Sequence, residues 1–154
     1  MRALRLFPLL VLAVLAGCGG MGKDGDPAMI TAANLDKLAD REWLLKTITV
    51  DGQRVIMHVD ATQTIRFGSD GRVTGYAGVN RFAGTYTLSP EGLLAWPGAG
   101  LISTRMAGPP ELMEKERAYL RGLPKTARAI VAGKALQLQS DDGSTVLLFE
   151  QVGK

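Results

Sequence analysis

The chain is poor in the side chains on which much enzyme and metal chemistry depends. Its 154 residues include one cysteine, Cys18, and one histidine, His58. A Ser-His-Asp triad or a histidine-based zinc site would therefore have to use His58. That residue stands between Met57 and Val59 without any ligand spacing around it, which favours a structural or solvent-facing role. A single cysteine excludes a disulfide within the chain.

Long hydrophobic runs and excess charge are also missing. The longest apolar segment, residues 6–16, would extend roughly 16 Å as a helix, against the ~30 Å hydrocarbon core that a spanning helix must cross. We therefore expect no retained transmembrane helix. The 18 basic and 15 acidic residues give a net charge of +3. Because the basic residues are scattered among acids, we predict no nucleic-acid partner.

The amino terminus nevertheless has the layout of a secretion signal. Arg2 and Arg5 precede the apolar segment, which ends in Leu15-Ala16-Gly17-Cys18. Charge, apolar stretch and small residues in this order are typical of a signal peptide, and the last four residues resemble the bacterial lipobox. We predict that residues 1–17 are removed and that Cys18 carries the lipid, palmitate included. The alternative is a plain secretory peptide cut nearby.

A lipidated Cys18 would place the protein in the cell envelope. Several acyl chains hold a protein durably, whereas one chain alone binds a membrane only marginally. Gly19 follows the cysteine, and in the sorting rule of enteric bacteria a residue other than aspartate there indicates the outer membrane. The expected location is the outer membrane, facing the periplasm, with the membrane itself as a partner through Cys18.

The remainder divides into a linker and one domain. Residues 18–34 are rich in glycine and charge and predict a flexible tether. Residues 35–154 are enough for one hydrophobic core. Alternating or β-rich runs between turn signals predict antiparallel sheet, with strands at 43–50, 54–57, 62–67, 72–76, 84–88, 93–96, 129–131, 136–139 and 146–149.

Three aspartates are predicted to lie in turns. Asp51, Asp70 and Asp142 each precede a glycine, a pair that tight hairpin turns favour because glycine accepts a positive φ. The run Asp141–Ser144 lacks the alternating ligands and terminal glutamate of a calcium loop. We predict neither a metal, nor a cofactor, nor a general acid and base pair.

One segment predicts a helix, at about residues 110–122. Two prolines suit its start and a Gly-x-Pro sequence its end. One side of the helix is expected to be apolar and to pack on the sheet, and it consists of Leu112, Met113, Tyr119, Leu120 and Leu123. The other side is expected to be charged and consists of Glu114, Lys115, Arg117 and Arg121. The class is therefore mainly β with one packed helix.

Glycines and aromatic residues elsewhere leave two alternatives open. Gly75, Gly78 and Gly84 lack the lysine and helix of a phosphate loop and favour bulges or coiling of the sheet. Tyr76 and Trp96 could stack on a ligand, although aromatic residues of a small β-domain are more often core.

Two segments of the chain carry a family resemblance. The first is residues 65–86, with Gly71, Gly78-Val79-Asn80 and Gly84-Thr85-Tyr86, and the second is residues 102–109, with Thr104-Arg105-Met106-Ala107. Together they resemble the META domain, the HslJ-like family also called DUF306. The resemblance spans about residues 38–150. Gly78, Asn80, Thr104 and Met106 occupy family-motif positions of unknown role. The chain departs from the family at Val79 and Gly108, where cysteine is common.

The resemblance implies a compact, barrel-like antiparallel β-fold with one packed helix, and a loose association with envelope or heat stress and antibiotic tolerance. It implies no known reaction. Our leading hypothesis is a non-catalytic envelope lipoprotein that binds or supports another envelope component. The alternative is a small-ligand-binding barrel, which requires that its interior not be filled by Trp43, Phe67, Tyr86 and Phe149. An enzyme ranks third.

Overall fold

The computed structural model describes residues 25–55 and 62–153. The predicted signal peptide, Cys18 and His58 lie outside these ranges. Within them, no helix is both long and apolar enough to cross a membrane.

The described chain forms twelve short strands and one α-helix. The strands are β1 (Ala28–Met29), β2 (Glu42–Val50), β3 (Gln53–Val55), β4 (Thr64–Phe67), β5 (Arg72–Tyr76), β6 (Arg81–Thr85), β7 (Thr87–Leu88), β8 (Leu94–Ala95), β9 (Ile102–Ser103), β10 (Arg128–Ala132), β11 (Ala135–Gln139) and β12 (Val146–Gln151). The helix α1 is Pro110–Gly122, and 3-10 helices occupy Ala32–Lys37 and Leu123–Lys125. The predicted helix is confirmed.

Ten strands pair antiparallel in the order β1-β10-β11-β12-β2-β4-β5-β6-β9, with β3 added to β2 and a separate β7-β8 pair. The mainly β class with one packed helix is confirmed, but the barrel-like closure is wrong. Among the described strands, β1 and β9 end the sheet without pairing to each other. Each has only two residues, which pair with β10 or with β6, so the closing pair that a barrel needs is missing between them.

The domain begins earlier than predicted. Ala28 and Met29 pair with Val131 and Ile130 of β10, and Ile30 is fully buried. The tether predicted for residues 18–34 is thus too long at its carboxyl-terminal end. So short a segment shows no alternation of its own, and it becomes a strand only by pairing with a distant part of the sequence.

Helix α1 packs against a strongly curved sheet. The buried Tyr119 ring lies 5.8 Å from Phe82 on β6 and 6.2 Å from Phe149 on β12. These strands are four places apart in the sheet, about 19 Å if the sheet were flat. Burial raises the pKa of the Tyr119 phenol well above its ordinary value, so its hydroxyl remains a donor, and it bonds to the Thr64 carbonyl at 3.2 Å.

Gly75 permits part of this curvature. It stands opposite Phe82 across the β5-β6 pair. A Cβ at Gly75 would lie 2.5 Å from the tip of the Phe82 ring and even closer to the Thr64 carbonyl oxygen. The aromatic ring covers the space that a side chain would need, which accounts for glycine within this strand.

The hydrophobic core is continuous and lies entirely within the domain. All of its buried members fall between Ile30 and Phe149. A polypeptide that starts at residue 19 therefore keeps every core residue that the structure describes, and since packing rather than a disulfide holds this fold, we expect it to fold.

The turns that were predicted from Asp-Gly pairs are confirmed where they are described. Asp51 and Gly52 have φ of 53° and 76°, as a two-residue hairpin turn with both residues left-handed requires. Asp142 accepts hydrogen bonds from the Ser140 hydroxyl at 2.6 Å and from the Ser144 amide at 3.0 Å. These bonds lower the pKa of Asp142 to about 2. The carboxylate therefore stabilises the turn in which it lies.

Candidate functional site

Three of the four motif positions meet in one hydrogen-bonded network. The Asn80 Oδ1 accepts from the Thr104 hydroxyl and from the Met106 amide, both at 2.7 Å. Its Nδ2 donates to the Met106 carbonyl at 3.1 Å and to Glu116 Oε1 at 2.7 Å. Asn80 is 2% exposed, and it joins the turn before β6, the segment after β9 and helix α1.

Glu116 is the buried anchor of this network. Its Oε2 accepts from the backbone amides of Val79 at 3.0 Å and Asn80 at 2.7 Å, while Oε1 takes the Asn80 side chain. The residue is only 4% exposed. A buried carboxylate is tolerated when hydrogen bonds replace its hydration, and here both oxygens are occupied by protein donors. We call Glu116, Asn80, Thr104 and Met106 the Glu116 network.

The sequence analysis missed Glu116. A usable signal existed, because Glu116 lies three residues after Met113 and three before Tyr119, on the helix side predicted to be apolar. The prediction for that side is partly wrong: Leu112 is 38% exposed, whereas Glu116 is buried. The helix turns its carboxylate inward because two backbone amides at the β5-β6 turn need an acceptor.

Gly78, the fourth motif position, acts through its backbone. Its φ is 120°, a conformation that L side chains rarely adopt. The turn it makes leads to Asn80, whose carbonyl accepts from the Ala77 amide at 2.7 Å. Gly78 thus shapes the turn that presents two amides to Glu116.

Metal binding has little support in this part of the chain. The residues from 25 to 55 and from 62 to 153 contain no cluster of three or more histidine, cysteine, aspartate or glutamate side chains able to hold an ion.

A polar surface lies on the sheet face away from the core. Alternation along each strand turns Ile65, Phe67, Val73 and Phe82 into the core and their neighbours outward. Strand register then places the outward residues in two rows. These are Glu42, Arg66 and Thr74 in one row, and Thr64, Tyr76 and Arg81 in the other.

The two rows line an open groove of about 570 Å³, which we call the outer groove. Arg66 is partly balanced by Asp40, 3.8 Å from its Nη2. Arg81 differs, because it forms no ion pair with any carboxylate in the described ranges. Tyr76 is half-buried in the groove, whereas Trp96 packs against the core and donates to the Thr126 carbonyl at 3.0 Å.

The Glu116 network and the outer groove are connected through Arg81. The Arg81 amide donates to the Thr104 hydroxyl at 3.2 Å, and its carbonyl accepts from the Thr104 amide at 3.0 Å. The motif residue Thr104 therefore fixes the backbone of Arg81, whose side chain lines the groove.

The aromatic residues in the interior of the described domain are buried and pack against one another. Trp43, Phe67, Tyr86 and Phe149 are between 0% and 4% exposed. Phe67 and Tyr86 pack edge to face at 5.0 Å, and the Tyr86 hydroxyl donates to the Gly68 carbonyl at 2.7 Å. These side chains fill the region in which a barrel would enclose a ligand.

The model of one family, described as META domain, matches residues 36–153. The chain belongs to the META domain family. The match covers nearly all of the described fold, including the Glu116 network and the outer groove. Comparison with curated proteins gave no match.

Solved structures support this fold for the META domain. A protein from Burkholderia xenovorans, solved by NMR, is 26% identical with a TM-score of 0.63, and the alignment covers 90% of this chain and 99% of that one. A second NMR structure is 25% identical with a TM-score of 0.54, covering 79% and 95%. A DUF4847 family protein from Bacteroides vulgatus, at 12% identity and a TM-score of 0.56 over 78% and 98%, shares the fold.

Val79 and Gly108, the two positions at which this META domain departs from the pattern with cysteines, are neighbours in space. A Cβ at Gly108 would lie 3.4 Å from the Val79 Cβ. The two departures from the family pattern therefore form one local change, in which the branched side chain of Val79 fills the space beside Gly108.

Proposed function

We propose that this META domain is the binding module of a non-catalytic envelope lipoprotein, and that it recognises another envelope component through the outer groove. The observation that carries the proposal is the connection at Arg81. A buried network of motif residues fixes the backbone of an exposed arginine in a polar groove, and this arginine forms no ion pair with the residues that the structure describes. Exposed cations without internal partners are typical of recognition surfaces, where they add specificity and speed association.

The composition of the outer groove suits a protein segment. Arg66, Arg81 and Tyr76 are of the types that contribute most to protein interfaces. Thr64 and Thr74 add hydroxyl groups that can donate or accept. A partner with an acidic, polar segment would complement this surface. A role in envelope stress or antibiotic tolerance, which the family resemblance implied, would follow from such binding.

A small ligand is the second candidate, and the volume of the outer groove favours it. Pockets for small molecules measure about 300–1,000 Å³, and the groove falls in this range. Its polar lining would select a hydroxyl-rich or anionic molecule. This version of the ligand hypothesis moves the site from the interior of the sheet to its outer face.

A photo-crosslinking side chain at Tyr76 should capture one defined envelope component in intact cells. Thr87, exposed on β7, is the control position. Arg81→Glu should reduce the Tyr76 adduct at least about tenfold, because reversal of a charge opposite an acidic partner opposes binding. Mass spectrometry of the adduct distinguishes a protein from a small ligand. Equal adducts from both positions, or an adduct unaffected by Arg81→Glu, would contradict the proposal.

Membrane attachment is tested separately at Cys18. In Cys18→Ser we expect the protein to be absent from carbonate-washed membranes, because no acyl chain can be attached to hold it there durably. Sedimentation of cell membranes after a carbonate wash measures this, with the unmodified protein as control. Full retention of Cys18→Ser in the washed membranes would refute the anchor.

A further inference from the structure

A second groove, basic in character, lies where the described chain begins. It measures about 500 Å³, and Asp26, Lys37, Arg41, Lys134 and Gln151 contribute polar side chains to its lining. We call it the basic groove. It lies beside the β1-β10 edge and the β10-β11 turn, away from the Glu116 network.

The lining of the basic groove contains three cations and one carboxylate. Lys37, Arg41 and Lys134 take part in none of the ion pairs among the described residues. Asp26 is the one carboxylate in the lining. Glu150 lies near Lys134, but it is paired with Lys46 at 2.9 Å. The groove therefore keeps an excess of positive charge.

Its geometry is held by hydrogen bonds of Arg41 and Gln151. Arg41 donates to Gln151 Oε1 at 3.4 Å and to the Asp36 carbonyl at 3.2 Å. The Gln151 amide donates to the Lys134 carbonyl at 2.7 Å. Gln151 thus contacts both the guanidinium and the turn that bears Lys134. A guanidinium held in this way is a preorganised donor for phosphate oxygens.

The position of the groove in the sequence indicates that its partner would be the membrane. Asp26 is eight residues after Cys18, and eight residues span at most about 29 Å even when fully extended. A lipid on Cys18 would therefore allow the basic groove to contact the bilayer surface without by itself holding it there. Anionic phospholipids attract basic residues only within about one Debye length, ~8 Å at physiological salt.

We propose that the basic groove binds the phosphate headgroups of anionic phospholipids in the membrane that holds Cys18. The proposal rests on the lipid anchor of the proposed function. Binding of headgroups at this edge would turn β1 and β10 towards the bilayer and fix the orientation of the tethered domain. Each lysine or arginine near an anionic surface contributes about 1 kcal/mol, or roughly fivefold in binding.

The test uses the unacylated polypeptide that starts at residue 19 and vesicles of two compositions. We expect it to sediment with vesicles of phosphatidylcholine and phosphatidylglycerol but not with phosphatidylcholine alone. Lys37→Ala/Lys134→Ala should weaken this binding roughly 25-fold, two steps of about fivefold. The matched control is Arg54→Ala/Arg117→Ala, which removes the same charge from exposed positions elsewhere and should change binding less than about twofold.

Three results would overturn the proposal. They are equal binding to both kinds of vesicle, no binding to either, and equal weakening by the two double variants, which would mean attraction by net charge alone. Inorganic phosphate at constant ionic strength is added as a competitor. Complete displacement by it would assign the groove to a soluble phosphate compound instead. Because the polypeptide carries no lipid, these results are independent of the outcome for Cys18→Ser.

Discussion

Replacing Glu116 with alanine is expected to lower the free energy of unfolding by about 4 kcal/mol, because removal of a buried acceptor leaves its donors without partners. The backbone amides of Val79 and Asn80 and the Asn80 side chain all bond to this carboxylate at 2.7–3.0 Å. The two Asn80 donors are buried and cannot turn to water, and Val79 is half-buried. Denaturant unfolding of the polypeptide that starts at residue 19 measures the change.

The control for this prediction is Glu114→Ala, two residues earlier on α1. Glu114 is exposed, and its loss should change stability by less than about 0.5 kcal/mol. Glu116→Gln should lie between the two, since its amide keeps one acceptor oxygen but turns an NH₂ group towards other donors. If Glu116→Ala were no more destabilising than Glu114→Ala, the buried network would not be holding the helix.

The Glu116 network also predicts strong coupling with Asn80. Asn80→Ala removes a partner of Glu116 as well as the contacts to Thr104 and Met106. The double variant with Glu116→Ala should therefore lose at least about 1 kcal/mol less than the sum of the single losses, as expected for residues in one network. An additive result would mean that the two residues act independently.

Much of the fold could be predicted because its signals are local. The helix at 110–122 is marked by prolines at one end and a glycine at the other, and the structure places α1 at Pro110–Gly122. The Asp51-Gly52 turn needs left-handed backbone, which glycine accepts and aspartate tolerates. Both features depend on a few adjacent residues, so a single sequence suffices to recognise them.

Features that depend on distant pairing could not be predicted in the same way. Ala28 and Met29 form a strand only because β10, a hundred residues later, offers an edge. A strand was predicted at 84–88, whereas the structure has β6 at Arg81–Thr85, between β5 and β9, and a separate β7 at Thr87–Leu88. The beginning of β6 was missed because its alanine and glycine weaken the β signal. The order of strands in the sheet depends on the whole chain, so it cannot be predicted from local turn signals.

The candidate site likewise combines features that the sequence indicates locally with features that depend on distant pairing. Asn80, Thr104 and Met106 were found through the family resemblance, but Asn80, which contacts the other two, is itself held by Glu116, 36 positions later. The outer groove required the strand register, because Arg66, Tyr76 and Arg81 are adjacent only across three strands. Residue type identifies candidates, whereas register and topology determine which of them meet.

The second large effect is expected at Val79 and Gly108, where an engineered disulfide should stabilise the domain. A Cβ at Gly108 would lie 3.4 Å from that of Val79, close to the roughly 3.8 Å typical of disulfides. Gly108 is not left-handed, so its backbone accepts a side chain. Cysteine at position 79 also removes the branched methyl groups, which lie 2.7 and 2.9 Å from that Cβ.

Oxidised Val79→Cys/Gly108→Cys should gain about 3–4 kcal/mol over its reduced form, the value expected when a cross-link closes a loop of about 30 residues. The polypeptide that starts at residue 19 is suitable because it lacks Cys18 and has no other thiol. Gly108→Cys alone should destabilise by about 1–3 kcal/mol, since its side chain meets the Val79 methyl groups. Thiol titration with denaturant unfolding, before and after reduction, measures both. Thiols that stay free under oxidation would contradict the contact, because two cysteines this close need little backbone movement to join.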